Sequence, residues 1–112
     1  GGYAQSISLL KRPNRPTAIF AGSDLQAMGV YEAARQLGLR IPEDLSVVGF
    51  DDVQTAAFLG PALTTVRQPL QDMARAAVRM LIEALSTDDV IQPHIIMPTS
   101  LVVRNSTQQL EG

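Results

Sequence analysis

Apolar residues recur along the chain with two different spacings, which predict separate helical and strand segments. Helical spacing marks residues 1–10, 24–37 and 69–85. Short apolar runs bounded by Pro, Gly or acidic residues predict strands; these runs are residues 17–21, 45–50, 63–66, 94–97 and 101–104. A short, loosely helical piece is expected at residues 53–59. Strands that alternate with helices predict βαβ units and a parallel sheet.

The second predicted helix carries clear start and stop signals. Ser23 or Asp24 is a strong N-cap, and Gly38 suits the position just after the helix. The residues predicted to form its buried stripe are Leu25, Met28, Tyr31, Ala34 and Leu37, widened by Ala27, Val30 and Ala33.

The run at residues 45–50 ends on two carboxylates, Asp51 and Asp52. It is apolar on both faces, which favours a parallel strand covered on both sides. Ligands of open α/β sheets bind outside the carboxyl ends of such strands. Asp24 and Gln68 follow the two neighbouring strands, so we expect Asp24, Asp51 and Gln68 to converge on one edge. Carboxylates and amides there suit a polyhydroxylated or amide-bearing small molecule, on which Phe50 could stack.

Each of these residues also has a structural interpretation. Asp24 fits an N-cap better than a ligand contact, and Asp52 could cap the helical piece that follows it. Phe50 could belong to the core, and Gln68 precedes Pro69 in a segment typical of turns. For Asp51 we favour the ligand role.

Composition narrows the classes of function. The 112 residues are 46% hydrophobic and 18% charged, which indicates one globular domain at most, and they contain no cysteine. A net charge of −2 argues against a nucleic-acid surface on this segment. The single histidine, His94, lies beside Pro93 and far along the chain from the acidic residues, which is typical of a structural histidine. We find no phosphate loop, nucleophile elbow or convergent metal ligands, and we expect neither an enzyme nor a membrane span.

Four ordered motifs resemble one family. They are residues 16–24 (PTAIFAGSD) with 27–29 (AMG), residues 38–52 (GLRIPEDLSVVGFDD), residues 63–69 (LTTVRQP) and residues 101–107 (LVVRNST). Together they resemble the effector domain of the lactose/galactose-repressor (LacI/GalR) family. The resemblance covers nearly the whole chain.

The resemblance implies a cytoplasmic transcription regulator without a cofactor. Its fold would be α/β, a three-layer parallel sheet of the type I periplasmic-binding-protein kind, incomplete here. DNA would be bound only by a helix-turn-helix domain absent from this chain. The implied partners are a small polar effector, for which a sugar is the first expectation, and a second copy of the protein.

The resemblance also implies roles for individual residues. Asp51 would bind hydroxyl groups of the effector, while Ser23 stands at a ligand-facing position that often carries Asn. Gln68 would lie at a hinge crossover and in the binding site, and Leu70 takes a position that is aromatic in some members. The helix containing Met28 and the loop at Leu59 resemble the dimer interface.

Three segments follow from the same resemblance. Residues 1–67 would belong to the C-terminal effector subdomain, residues 68–97 would cross to the N-terminal subdomain, and residues 98–112 would form a return strand and tail. We therefore expect the chain to be part of a longer protein and to lack a complete ligand cleft alone.

Two other interpretations fit the same pattern. A solute-binding protein of a sugar transport system would have the same fold with a signal peptide in place of the DNA-binding domain. A small flavodoxin-like enzyme is a third possibility, which the missing phosphate loop disfavours.

Overall fold

Three helices and a four-stranded sheet form the architecture of the computed structural model, which describes residues 2–86 and 97–109. In chain order the elements are α1 (Gly2–Leu10), β1 (Ala18–Phe20), α2 (Asp24–Gln36), β2 (Ser46–Asp51), a 3-10 helix (Gln54–Phe58), β3 (Thr64–Arg67), α3 (Leu70–Ser86) and β4 (Ser100–Val102). These bounds confirm the predicted helices and four of the predicted strands to within a few residues. Most of the fifth strand, predicted at residues 94–97, lies outside the described residues.

The sheet has the strand order β1-β2-β3-β4. β1, β2 and β3 are parallel, as predicted, with Ile19 opposite Val47 and Asp51 opposite Arg67. β4 departs from the predicted parallel arrangement because it runs antiparallel to β3. Arg67 pairs with Ser100, so the chain leaves β3 and enters β4 at the same end, and the returning strand must run the other way.

The core lies between α2 and the sheet, and its residues are mostly small or branched. α2 buries Ala27, Val30, Ala33 and Ala34. The prediction that Leu25 lies on the buried stripe is wrong, since its side chain is 76% exposed. Small side chains let a helix approach its neighbours closely, which explains why the alanine face packs inward. In β2, Val47 and Gly49 are buried, while the opposite face is half-buried.

The contacts divide the chain into two units. Unit 1 comprises Gly1–Arg67 and Ser100–Gly112, and unit 2 comprises Gln68–Thr99. Within unit 2, α3 has no buried residue although its sequence is amphipathic. Its exposed apolar side chains are Leu70, Met73, Val78, Leu81, Ile82 and Leu85.

Gly49 provides a test of the packing between α2 and the sheet. A Cβ atom at Gly49 would overlap Oδ1 of Asp24 and lie 2.8 Å from Cδ2 of Leu63. We expect Gly49→Ala to lower the free energy of unfolding by about 2 kcal/mol through overpacking, measured by urea denaturation. Gly60→Ala is the matched control, because a Cβ there meets nothing within 4 Å. Equal stability of the two variants would contradict this packing.

Candidate functional site

The carboxyl ends of the three parallel strands lie at one edge of the sheet in unit 1. Ser23 and Asp24 follow β1, Asp51 is the last residue of β2, and Arg67 ends β3. In the register of β2 and β3, Asp51 lies directly opposite Arg67. This is the edge at which open α/β sheets bind their ligands.

Asp24 is fully buried and joins three elements at this edge. Its Oδ1 accepts a hydrogen bond from the hydroxyl of Thr65 at 2.6 Å, and its Oδ2 accepts one from the N–H of Val53 at 2.8 Å. The helix cap is Ser23, whose Oγ accepts the N–H of Gln26 at 3.1 Å, so the capping role considered for Asp24 is wrong. Because its side chain is fully buried and both of its oxygens accept hydrogen bonds within the protein, a structural role is favoured for Asp24 over the predicted ligand contact.

The turn after β2 has a strained backbone. Asp51 has φ of 121° and Asp52 has φ of 58°, values that L-residues other than glycine rarely adopt. Such conformations cost about 1–3 kcal/mol each and persist only where surrounding bonds hold them. Here the N–H of Asp52 donates to Oγ1 of Thr65 at 3.3 Å, and the adjacent N–H of Val53 donates to Asp24. The half-buried Asp51 is therefore placed by backbone bonds of the two residues that follow it.

The carboxylate of Asp52 is bound by two arginines. Nε of Arg67 donates to Oδ2 at 2.7 Å, and Arg104 lies 2.9 Å from Oδ1. Burial alone would raise the pKa of this carboxyl, but hydrogen bonds from Arg67 and Arg104 outweigh burial and hold the pKa below its ordinary value. The predicted capping role of Asp52 is wrong, because the 3-10 helix begins after Val53 without a side-chain cap.

Sequence reasoning missed both arginines as parts of this site. Arg67 and Arg104 both occur within the motifs at residues 63–69 and 101–107. The sequence does offer one signal for them. Each is the single cation of a short apolar run and lies at or just after the end of a predicted strand. Only the pairing of β3 with β4 brings both of them to Asp52.

The remaining predicted ligand residues divide between the two units. In unit 1, Ser23 and Phe50 are half-buried, and the Oγ of Ser23 accepts the capping bond from Gln26. In unit 2, the carbonyl of Gln68 accepts the N–H of Leu70 at 2.8 Å, and the Leu70 side chain is 55% exposed. Their ligand contacts stay predictions.

The predicted interface residues Met28 and Leu59 are both half-buried. Met28 lines a cavity of about 470 Å³ with Tyr31 and Pro61. Burial raises the pKa of the Tyr31 hydroxyl, and this hydroxyl donates to the carbonyl of Pro61 at 2.7 Å. The dimer interface stays a prediction.

Neither a metal-binding cluster nor a membrane-spanning helix is found among residues 2–86 and 97–109. Among these residues, no group of three or more His, Asp or Glu side chains is arranged to hold a metal ion. None of the helices in this part of the chain has the length and apolar character needed to cross a bilayer. His94, which we predict to be structural, lies outside the described residues.

Thr65 links Asp24 to the turn, so its hydroxyl should contribute measurably to stability. We expect Thr65→Val to lower the free energy of unfolding by about 2 kcal/mol, because a buried carboxylate oxygen and a backbone N–H both lose their partner. Urea denaturation measures the loss. The exposed Thr55, in the 3-10 helix, supplies the control Thr55→Val, which should change stability by less than about 0.5 kcal/mol. A Thr65 variant as stable as this control would show that the bonds to Thr65 do not hold the turn.

The lowered pKa of Asp52 predicts a dependence of stability on pH. A carboxyl whose folded-state pKa lies below its unfolded value of about 3.8 stabilises the protein above that pH. This contribution is lost as the pH falls through the folded-state pKa. We therefore expect the difference in unfolding free energy between wild type and Asp52→Asn to be full at pH 7 and to shrink below about pH 4, measured by urea denaturation. A difference that grows on acidification would contradict the ion pairs.

Comparison with known proteins gives the family. Residues 2–107 match the model of the periplasmic binding protein-like domain. A Streptomyces limosus protein described as an uncharacterized HTH-type transcriptional regulator in the aml 5′ region is 50% identical over 97% of this chain and 30% of its own length. The chain thus spans about a third of that relative.

Two solved structures share the fold. A LacI family transcriptional regulator from Enterococcus faecium with bound ribose has a TM-score of 0.91 and 29% identity, over 99% of this chain and 41% of that one. The lac repressor dimer bound to operator and the anti-inducer ONPF has a TM-score of 0.86 and 33% identity, over 95% of this chain and 37% of that one. The chain therefore belongs to the periplasmic binding protein-like domain family, and within it to the LacI-type effector domains of transcriptional regulators.

Proposed function

We propose that this chain is the effector-sensing and dimerising segment of a longer DNA-binding transcription regulator. The observation that carries the proposal is the placement of Asp51 at the carboxyl edge of the parallel strands, in a strained turn whose next two N–H groups are hydrogen-bonded. Strain at such a position is typical of ligand-binding sites. The HTH-type relative favours this regulator over a transport receptor with the same fold.

The effector we propose is a sugar. A carboxylate such as Asp51 accepts hydrogen bonds from neighbouring hydroxyl groups, and Phe50 offers an apolar face beside it. Ser23, Gln68 and Leu70 would complete the contacts. The ribose-bound relative supports this class of ligand.

We further propose that the chain contributes to two subdomains. Residues 1–67 and 98–112 would belong to the C-terminal subdomain, and residues 68–97 to the N-terminal one. The division of contacts into unit 1 and unit 2 supports this assignment. The exposed apolar side chains of α3 support it too, because an amphipathic helix gains stability by burying that face.

DNA would be bound by a helix-turn-helix domain outside this chain, in a cytoplasmic homodimer without catalytic activity. The half-buried Met28 and Leu59 would contribute to the dimer interface. Phe58 and Leu25 are 83% and 76% exposed, and apolar exposure of this extent favours association with another protein surface. The similar structure of the lac repressor dimer bound to operator supports both proposed partners, DNA and a second copy of the protein.

The mechanism we propose is a difference in effector affinity between two arrangements of the subdomains. Effector binding favours one arrangement and thereby changes the spacing of the DNA-binding heads in the dimer. The factor by which the effector changes operator affinity gives the coupling free energy between the effector and operator sites.

Asp51→Ala in the longer regulator tests this function. We expect the dissociation constant for the sugar to rise about 10- to 100-fold, because hydrogen bonds to a charged group are lost. Operator affinity without sugar should stay within about twofold. Calorimetry with ribose, cellobiose and maltose measures the first quantity, and fluorescence anisotropy with an operator fragment selected from random DNA measures the second.

Asp44→Ala is the control, since Asp44 forms an ion pair with the largely exposed side chain of Arg40 in the loop before β2. It should leave both affinities unchanged. Equal loss of sugar and operator affinity in Asp51→Ala would count against the proposed effector contact.

A further inference from the structure

Asp52 is bound through both of its carboxylate oxygens, each by a different arginine. Its side chain is 9% exposed, while the side chains of Arg67 and Arg104 are 56% and 17% exposed. Arg104 is itself anchored, because its guanidinium donates to the carbonyl of Leu63 at 2.8 Å and its backbone N–H donates to Oγ1 of Thr64 at 2.9 Å. We call the three residues Asp52, Arg67 and Arg104 the carboxylate clamp.

All three clamp residues belong to unit 1, and one of them, Arg67, adjoins the point where the chain leaves that unit. Arg67 is the last residue of unit 1 before the chain continues into unit 2 at Gln68. Ser100, the Cα partner of Arg67 in the sheet, is the first residue of unit 1 on the return. Asp52 therefore connects the end of β2 to the last residue of β3 and, through Arg104, to the segment that follows β4.

Stability alone is a weak explanation for this arrangement. A largely buried ion pair often adds little net stability, because the removal of both charges from water offsets their attraction. Its more distinctive property is geometric, since a carboxylate whose two oxygens bind different arginines, one of them anchored, has a restricted orientation. Asp52 adopts a positive φ next to the strained Asp51, so the orientation of its side chain also constrains the backbone of Asp51.

We propose that Asp52 is a positioning residue that sets effector affinity: the carboxylate clamp holds Asp51 in its ligand-binding conformation and ties that conformation to the end of β3, from which the chain continues into unit 2, and to the segment that follows β4. This inference rests on the proposed effector role of Asp51. Asp52 itself touches no effector in this scheme and acts through its neighbour.

Asp52→Asn in the longer regulator is the direct test, because it keeps the shape of the side chain and removes the charge. Calorimetry with ribose, cellobiose and maltose gives both the dissociation constant and the fraction of binding-competent sites. We expect the dissociation constant to rise about tenfold with the stoichiometry unchanged. Loss of folded protein would instead lower the stoichiometry and leave the dissociation constant as in wild type.

Arg67→Gln tests whether the clamp acts as a unit. We expect it to weaken sugar binding at least threefold alone and less than twofold when added to Asp52→Asn, since residues in one network are not additive. Asp44→Asn, which removes the charge from the ion pair with Arg40, is the matched control and should leave the dissociation constant unchanged. A dissociation constant within twofold of wild type in Asp52→Asn, or a fall in stoichiometry alone, would overturn the proposal.

Hydrogen exchange without sugar separates this proposal from the proposed effector class. If the clamp holds the turn, the amides of Asp52 and Val53 exchange at least tenfold faster in Asp52→Asn than in Asp44→Asn. If the wild-type regulator binds none of these sugars, the proposed sugar effector is rejected. The exchange rates would then still decide whether the clamp holds the turn. Unchanged exchange at these two amides would overturn the positioning role whatever the effector is.

Discussion

The enclosed carboxylate of Asp24 is the constraint on which the edge of the sheet depends. One oxygen accepts the hydroxyl of Thr65 in β3, and the other accepts the backbone N–H of Val53 after β2. Asp24 also begins α2, so one side chain fixes the start of that helix against β3 and against the segment that follows β2. Gly49 lies close enough that any side chain there would displace this carboxylate. A buried carboxylate is costly unless its hydrogen bonds are made, and this cost makes the arrangement specific.

The chemistry of the edge follows from that constraint. Because Thr65 accepts the N–H of Asp52 while it donates to Asp24, the turn after β2 is built on a chain of hydrogen bonds that begins inside the core. The turn can then keep Asp51 and Asp52 at positive φ. The two adjacent carboxylates lie in different surroundings. Asp52 is bound by two arginines, and Asp51 is half-buried at the edge where we expect a ligand.

Local sequence patterns predicted the helices, the parallel strands and the edge at which Asp51 lies, because spacing and strand ends depend on neighbouring residues alone. The predicted stripe of α2 included the four residues that are buried, Ala27, Val30, Ala33 and Ala34, but it also included Leu25, which is exposed, because spacing alone does not show where close packing ends the stripe. The antiparallel β4 depends on the path of the chain between β3 and its return. The structural role of Asp24 and the pairing of Asp52 with Arg104 depend on partners distant in sequence, which no local pattern reveals.

We expect Asp51 to bind the effector at this edge of the sheet. A crystal structure of the longer regulator with a sugar bound is the decisive experiment. In that structure an oxygen of Asp51 should lie within about 2.5–3.0 Å of a sugar hydroxyl, with Asp24 still enclosed and bound to Thr65 and Val53. A sugar bound away from the carboxyl ends of β1, β2 and β3, or an Asp51 side chain turned away from it, would show that Asp51 is not the effector contact.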